Sequence, residues 1–226
     1  MSTNGSKAKA VVESPKAIFA AKGSQAAYKD KVVYISEPNI QIIPVRIVGT
    51  ADLVQSAVKG IPPKTAPGKR PKKTVRTEQE QFQDSIHVSE AGWNGIPASA
   101  FRNGMIDACR LTDQKMVIAK ITVFVESDGS DKNTGIPLVK ITKGKPELFS
   151  RPVRNENSGQ WTQGISARYR AGWEAIVRVA FDADMIDEAS VVNLLMRVGK
   201  QVGIGMGRPM GRNGNGCGWG LFKITK

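Results

Sequence analysis

The sequence predicts an α+β domain: an antiparallel sheet with two helices on one face, its elements running in the ferredoxin-like βαββαβ order. Two segments, near residues 98–109 and 187–203, place apolar residues at helical spacing, and β-branched runs flank both of them. Gly-, Pro- and Asn-containing stretches punctuate the chain between these runs, as turns in such a domain require. With 226 residues, 40% of them hydrophobic, the chain can bury one substantial core, and a second full domain is not expected.

Residues 1–30 are rich in Ala, Lys and Ser without apolar periodicity and are expected to form a flexible N-terminal tail, leaving 31–226 as the domain. VVYI at 32–35 and IQIIPVRIVGTADLV at 40–54 read as strands, with Pro44 marking an edge position or a bulge. Next comes KGIPPKTAPGKRPKKTVR at 59–76. It carries Lys59, Lys64, Lys69, Arg70, Lys72, Lys73 and Arg76 with four prolines and no acid, which predicts a projecting basic arm. After the acid-bearing TEQEQFQDSIHVSEAG, Pro97 suits a first helical turn. Phe101, Met105, Ala108 and Cys109 then face the core, Gly104 permits close packing, and Arg102, Asn103 and Asp107 fall elsewhere.

KMVIAKITVFVES alternates and predicts one long strand with Val117, Ala119, Ile121, Val123 and Val125 on a single face. IPLVKIT follows the turn SDGSDKNTG as a second, shorter strand, while the polar stretch 144–166, with Arg151, Arg154 and Trp161, shows no clear period. WEAIVRVAFDAD reads as a strand. DEASVVNLLMRVGKQVG reads as a helix with Val191, Leu194, Leu195 and Val198 as its stripe, and CGWGLFKIT as a terminal strand beyond a glycine-rich loop at 199–220.

Charge narrows the function. A net charge of +13 and a pI near 9.9 attract polyanions through a long-range, salt-sensitive term, so nucleic acid is the expected partner. No apolar run approaches the ~18 residues of a membrane span. The N-terminus also lacks a secretory signal, so a cytoplasmic protein without a membrane partner is expected. Two distant cysteines and one histidine supply neither zinc spacing nor a disulfide framework, and no phosphate-loop or dinucleotide fingerprint is present; no metal or cofactor is expected. Catalysis is correspondingly poor in candidates: Asp84 and His87 are the only acid–base groups placed to cleave RNA.

Two stretches carry binding chemistry. In GIPASAFR, a helix start offers unpaired backbone N–H groups beside the Ser99 hydroxyl and the Arg102 guanidinium, a combination suited to a phosphate. In GKQVGIGMGRPMGRNGNGCGWG, nine glycines, among them Gly205 and Gly207, let a backbone approach a ligand closely, and Arg208 and Arg212 add charge. Trp93, Trp161 and Trp219 are the candidates for stacking on bases.

Taken together and in this order, the two stretches resemble the RAMP (repeat-associated mysterious protein) superfamily, specifically the backbone, guide-RNA-binding subunits of CRISPR effector complexes. That group shows an I-P-G-S-S-L-K-G-A-L-R kind of motif on its first helix and a C-terminal helix followed by a glycine-rich loop and strand. Here Ile96, Pro97, Ser99, Phe101 and Arg102 fall on matching positions, Arg102 standing for the usual lysine, and the likeness runs from residue 40 to 226. Ala98, Ala100, Asn103 and Ile106 depart from the pattern, consistent with a divergent viral or mobile-element relative.

The resemblance implies an RRM-like palm with inserted thumb and finger loops. It implies a homo-oligomer in a helical or filamentous assembly along single-stranded RNA or DNA, together with other effector subunits. Lys69, Arg70, Lys72 and Lys73 join Ser99, Arg102, Arg208 and Arg212 as expected backbone contacts. Two other functions fit the same sequence: a ribonuclease of that superfamily, and a viral or mobile-element protein that is structural or mimics a host subunit.

Overall fold

The computed structural model describes residues 37–57, 76–154, 159–211 and 216–225. The expected tail at 1–30, the strand at 32–35, the arm as far as residue 75 and Arg212 lie outside the described residues. The described elements belong to one compact unit, Ile40–Lys226.

Its principal sheet contains β1 (Ile40–Gly49), β3 (Gly95–Pro97), β4 (Val123–Val125), β5 (Gly129–Ser130), β6 (Pro137–Lys143), β9 (Glu174–Asp182) and β10 (Phe222–Thr225), and β2 (Leu53–Gln55), β7 (Pro146–Arg154) and β8 (Trp161–Tyr169) lie outside it. The path runs β10-β1-β9-β6-β3, and every pairing is antiparallel. In β9, Ala175, Val177, Val179 and Phe181 are buried while Ile176 projects to the opposite face, the alternation a one-sided sheet requires. One edge of β9 pairs with β1 along its length. The other is shared, by β4 at residues 179–181 and by β6 at residues 174–175.

Helices α2 (Ala98–Ala108) and α4 (Glu188–Arg197) pack on the buried face, where Phe101, Met105, Leu194 and Leu195 join Val45, Ile47, Val177 and Val179 in one core. The two helices meet closely because position 104 is glycine: a Cβ there would stand 2.9 Å from Val198 Cγ1. A π-helical turn, Val198–Val202, extends α4, and Gly203 ends it at φ +73°. The α+β class, the antiparallel sheet and both long helices match expectation.

Three features differ from the sequence reading. The stretch predicted as one strand at 116–125 is a helix, α3 (Met116–Thr122), followed by the short β4. Val117 and Ile121, four residues apart, are 70% and 63% exposed, whereas Ala119 and Thr122 face inward; β-branched residues at that spacing suit either period, and tertiary packing decided for the helix. The acid-bearing stretch forms α1 (Glu78–Ser85), started by a capping box in which Thr77 Oγ1 accepts from Glu80 N and the Glu80 carboxylate accepts from Thr77 N. Finally, the aperiodic region holds a long hairpin, β7 (Pro146–Arg154) and β8 (Trp161–Tyr169), which forms a second sheet with β2 (Leu53–Gln55).

Pro44 occupies the half of β1 that pairs only with β9, because β10 covers residues 46–49 alone. An edge position for this proline is what its missing N–H demands.

Candidate nucleic-acid interface

The start of α2 lies where the sequence placed it, with Pro97 as the N-cap and no side chain capping the first turn. Ser99 is exposed there. Arg102 is engaged inside the protein: its Nε donates to the Val123 carbonyl at 3.0 Å, its Nη2 donates to the Lys120 carbonyl, and the guanidinium lies 5.1 Å from the Phe124 ring centroid. It thereby satisfies carbonyls at the end of α3, a role for which an arginine with a forked donor set is well suited.

The glycine-rich return is bound tightly to its own domain. Met206 N donates to the Val54 carbonyl at 2.9 Å, Ile204 N to Gly220 at 3.1 Å, and Gly220 N to Asp52 at 2.8 Å. Gly205 and Gly207 both have positive φ, and the space a side chain would need is filled by the Val54 carbonyl, 2.6 Å from a Cβ at 205, and by the Trp219 ring at 207. Close approach is thus required here for the protein's own backbone and indole. Arg208 Nη1 donates to Gly205 O at 3.3 Å, pinning the loop on itself.

Where this loop meets the hairpin, cations and rings alternate. Arg168 lies 4.6 Å from the Phe149 centroid, Phe149 meets Trp219 edge-to-face at 5.4 Å, and Arg151 lies 5.8 Å from Trp219. Arg168 is also near Glu147 and Asp52, at 3.5 and 3.8 Å. Arg151 has no ion-pair partner among the described residues, and its Nε is buried without a hydrogen-bond partner. A shallow cavity of about 310 Å³ lies at the outer end of the hairpin, lined by Ser150, Arg151, Pro152, Trp161, Thr162 and Gln163, with Trp161, 69% exposed, on the face opposite the Arg151 side chain. Trp161 was legible as an aromatic in a polar stretch; its alignment opposite Arg154 depends on a hairpin the sequence did not reveal.

Cations on the principal sheet are differently placed. Arg178 is held by Glu126 at 3.1 Å and Asp128 at 2.7 Å, and Glu174 takes both Arg46 and Lys143, which hold its carboxyl below the ordinary glutamate range.

Asp84 and His87 are not brought together. Asp84 pairs with Arg76 at 3.0 Å, whereas the buried His87 turns Nδ1 toward Asp131 Oδ2 at 3.1 Å. Burial would raise the Asp131 carboxyl, but hydrogen bonds from the Asn133 and Thr134 amides and from His87 outweigh it and hold the group below the usual aspartate range. Burial pushes the Tyr169 phenol well up, leaving it neutral. Among the described residues no group of three His, Cys, Asp or Glu could hold a metal ion, and no helix is long and apolar enough to cross a membrane.

No family model matches the chain, and no curated protein does. Chains of solved structures are similar to it, two of them as follows. One chain of the cryo-EM structure of the Type III-B Cmr-beta bound to cognate target RNA has 11% identity and a TM-score of 0.48, with 83% of this chain covered. The present chain spans 59% of that one. Cmr6 from Pyrococcus furiosus has 10% identity and a TM-score of 0.42, with 83% of this chain and 99% of that one covered.

Proposed function

We propose that this protein binds single-stranded nucleic acid, RNA in particular, without sequence preference, as a backbone subunit that assembles with copies of itself along the strand. One observation carries the proposal: a net charge of +13, of which seven positive charges fall between residues 59 and 76 with no acid among them. Such a density is costly to hold together and is relieved by a polyanion. Two further features support it. The motif likeness to RAMP backbone subunits places Ser99 and Arg102 on a helix start, and the junction of hairpin and glycine-rich loop joins guanidinium groups to aromatic rings, the combination that strand-binding grooves use.

The finer fold assignment belongs to the same proposal. β1, β4, β9 and β10, which bracket α2 and α4 in the chain, lie side by side as β10-β1-β9-β4, and we read them as a ferredoxin-like palm carrying the β7–β8 hairpin and the 59–76 arm as insertions.

Fluorescence anisotropy with labelled single-stranded RNA and DNA of several lengths tests this directly. Affinity is expected to fall at least tenfold between about 50 and 300 mM salt, with little change among sequences. Light scattering is expected to show particle mass growing with strand length. Salt-independent binding, or an absence of strand binding, overturns the reading.

A further inference from the structure

We infer that the cleft between α4 and the turn that ends α2 is a phosphate site, bordered by Arg110 and Arg197, that takes a phosphorylated ligand without reading a base. The inference goes beyond strand binding, because the same chemistry serves the phosphate of a free nucleotide and the phosphodiester of a strand.

One wall follows from the helical repeat of α4. Its buried stripe, Val191, Leu194, Leu195 and Val198, fixes the side of the helix that meets the sheet. Ser190, Asn193 and Arg197 recur at i, i+3 and i+7, so they share one flank beside that stripe. The other wall is the continuation of α2, the 3₁₀ turn Cys109–Leu111 and residues 112–114, where burial of Cys109 leaves Arg110 exposed. The walls are tied at the start of α4. There Gln114 Nε2 donates to Ser190 Oγ at 3.1 Å, and Ser190 Oγ donates to Asp187 Oδ2 at 2.8 Å. A cavity of about 520 Å³ lies between the walls, with Arg110 on one side and Asn193 and Arg197 on the other.

Positive charge is in excess in this cavity. Neither arginine has an ion-pair partner among the described residues, whereas those at 46, 168, 170 and 178 each stand within 4 Å of a carboxylate. Arg197 Nε is buried without a hydrogen-bond partner, and its Nη1 donates to the neutral Gln201 Oε1 at 3.1 Å. Both guanidinium groups therefore keep donors for an oxyanion. Asp113 is the one acid in the lining, and it is exposed. The Asp187 carboxylate, at the tied end, is occupied by the Ser190 amide and hydroxyl.

Size and lining decide the ligand. The volume falls inside the range of small-molecule sites, roughly 300–1,000 Å³, and has room for more than a single phosphate. No aromatic side chain lines it, so a base finds no platform. Guanidinium, carboxamide and hydroxyl groups suit phosphate oxygens and sugar hydroxyls instead. A phosphate has oxygens enough for two arginine forks at once, where a lone carboxylate fills one.

Calorimetric titration of the full chain with pyrophosphate tests the site. Arg110→Gln and Arg197→Gln should each weaken binding roughly ten- to hundredfold. Lys223→Gln removes the same charge from the sheet face opposite the helices and should change binding less than about twofold. Asp113→Asn should strengthen binding about two- to fivefold, a gain that no unfolded variant can give. Labelled single-stranded RNA and ADP then separate the two sources. If a strand is the ligand, pyrophosphate competes with it, and the Arg110→Gln, Arg197→Gln double variant lowers its salt slope by about two. If a free nucleotide is the ligand, the double variant loses ADP while strand affinity and slope stay unchanged. No binding of pyrophosphate by the wild type, or an equal loss in Lys223→Gln, overturns the site, as does a preference for polyaspartate over pyrophosphate. A wild type that binds pyrophosphate but no strand keeps this site and removes the strand-binding reading.

Discussion

At Gly220 the glycine-rich return depends on the absence of one methyl group. Its φ is +70°, and a Cβ would collide with the backbone of Ile204, whose amide donates to the Gly220 carbonyl at 3.1 Å. Gly220→Ala therefore meets both a left-handed penalty and a backbone clash, and a loss of about 2–3 kcal/mol is expected in urea unfolding. Asp131 is a second residue whose environment is readable as a stability term. Its folded pKa is depressed, so its contribution is complete above its unfolded value near ~3.9 and disappears as pH falls through the lower folded value. Stability measured from about pH 5 to pH 2 should consequently decline more steeply in the wild type than in Asp131→Asn. Sequence alone offered His87 but not this partner, because the pair closes across 44 residues and no local spacing signals it.

Among the elements, α1 is short, eight residues with a strongly polar sequence, so its ends matter more than its interior. It is kept on β8 by a small cluster of Phe82, Ile86 and Ala167, and its first turn is closed by Thr77 and Glu80. Thr77→Ala should cost about 1 kcal/mol and raise amide exchange in residues 78–85 before the rest of the fold responds. The capping box was present in the sequence as T-E-Q-E, yet the low apolar content of the stretch masked it. By contrast α2 and α4 were legible because each carries a stripe wide enough to bury. The hairpin was not legible for a different reason: β7 contains Pro146 and Pro152 and little alternation, and it is a strand because β8 lies beside it. The candidate site inherits this division. Ser99 and Arg102 were found by motif, but the carbonyls that occupy Arg102 belong to α3, an element the alternation of 116–125 had disguised.

For the molecule as a whole, the decisive feature is that the first described strand is completed by the last. Arg46 aligns with Thr225, and the Thr225 hydroxyl reaches the Arg46 carbonyl across a separation of 179 residues. The same strand pairs with β9 along its length, so neither of its edges has a neighbour until late in the chain. During synthesis at ~5–20 residues per second, β1 waits roughly 10–40 s between its own emergence and that of β10. Until β9 emerges, for most of that interval, IQIIPVRIV is an unpaired apolar strand, the kind of segment that nascent chains lose to aggregation. Pro44 and Arg46 sit in its middle as gatekeepers, blocking a full ladder and adding charge at the point of greatest hazard.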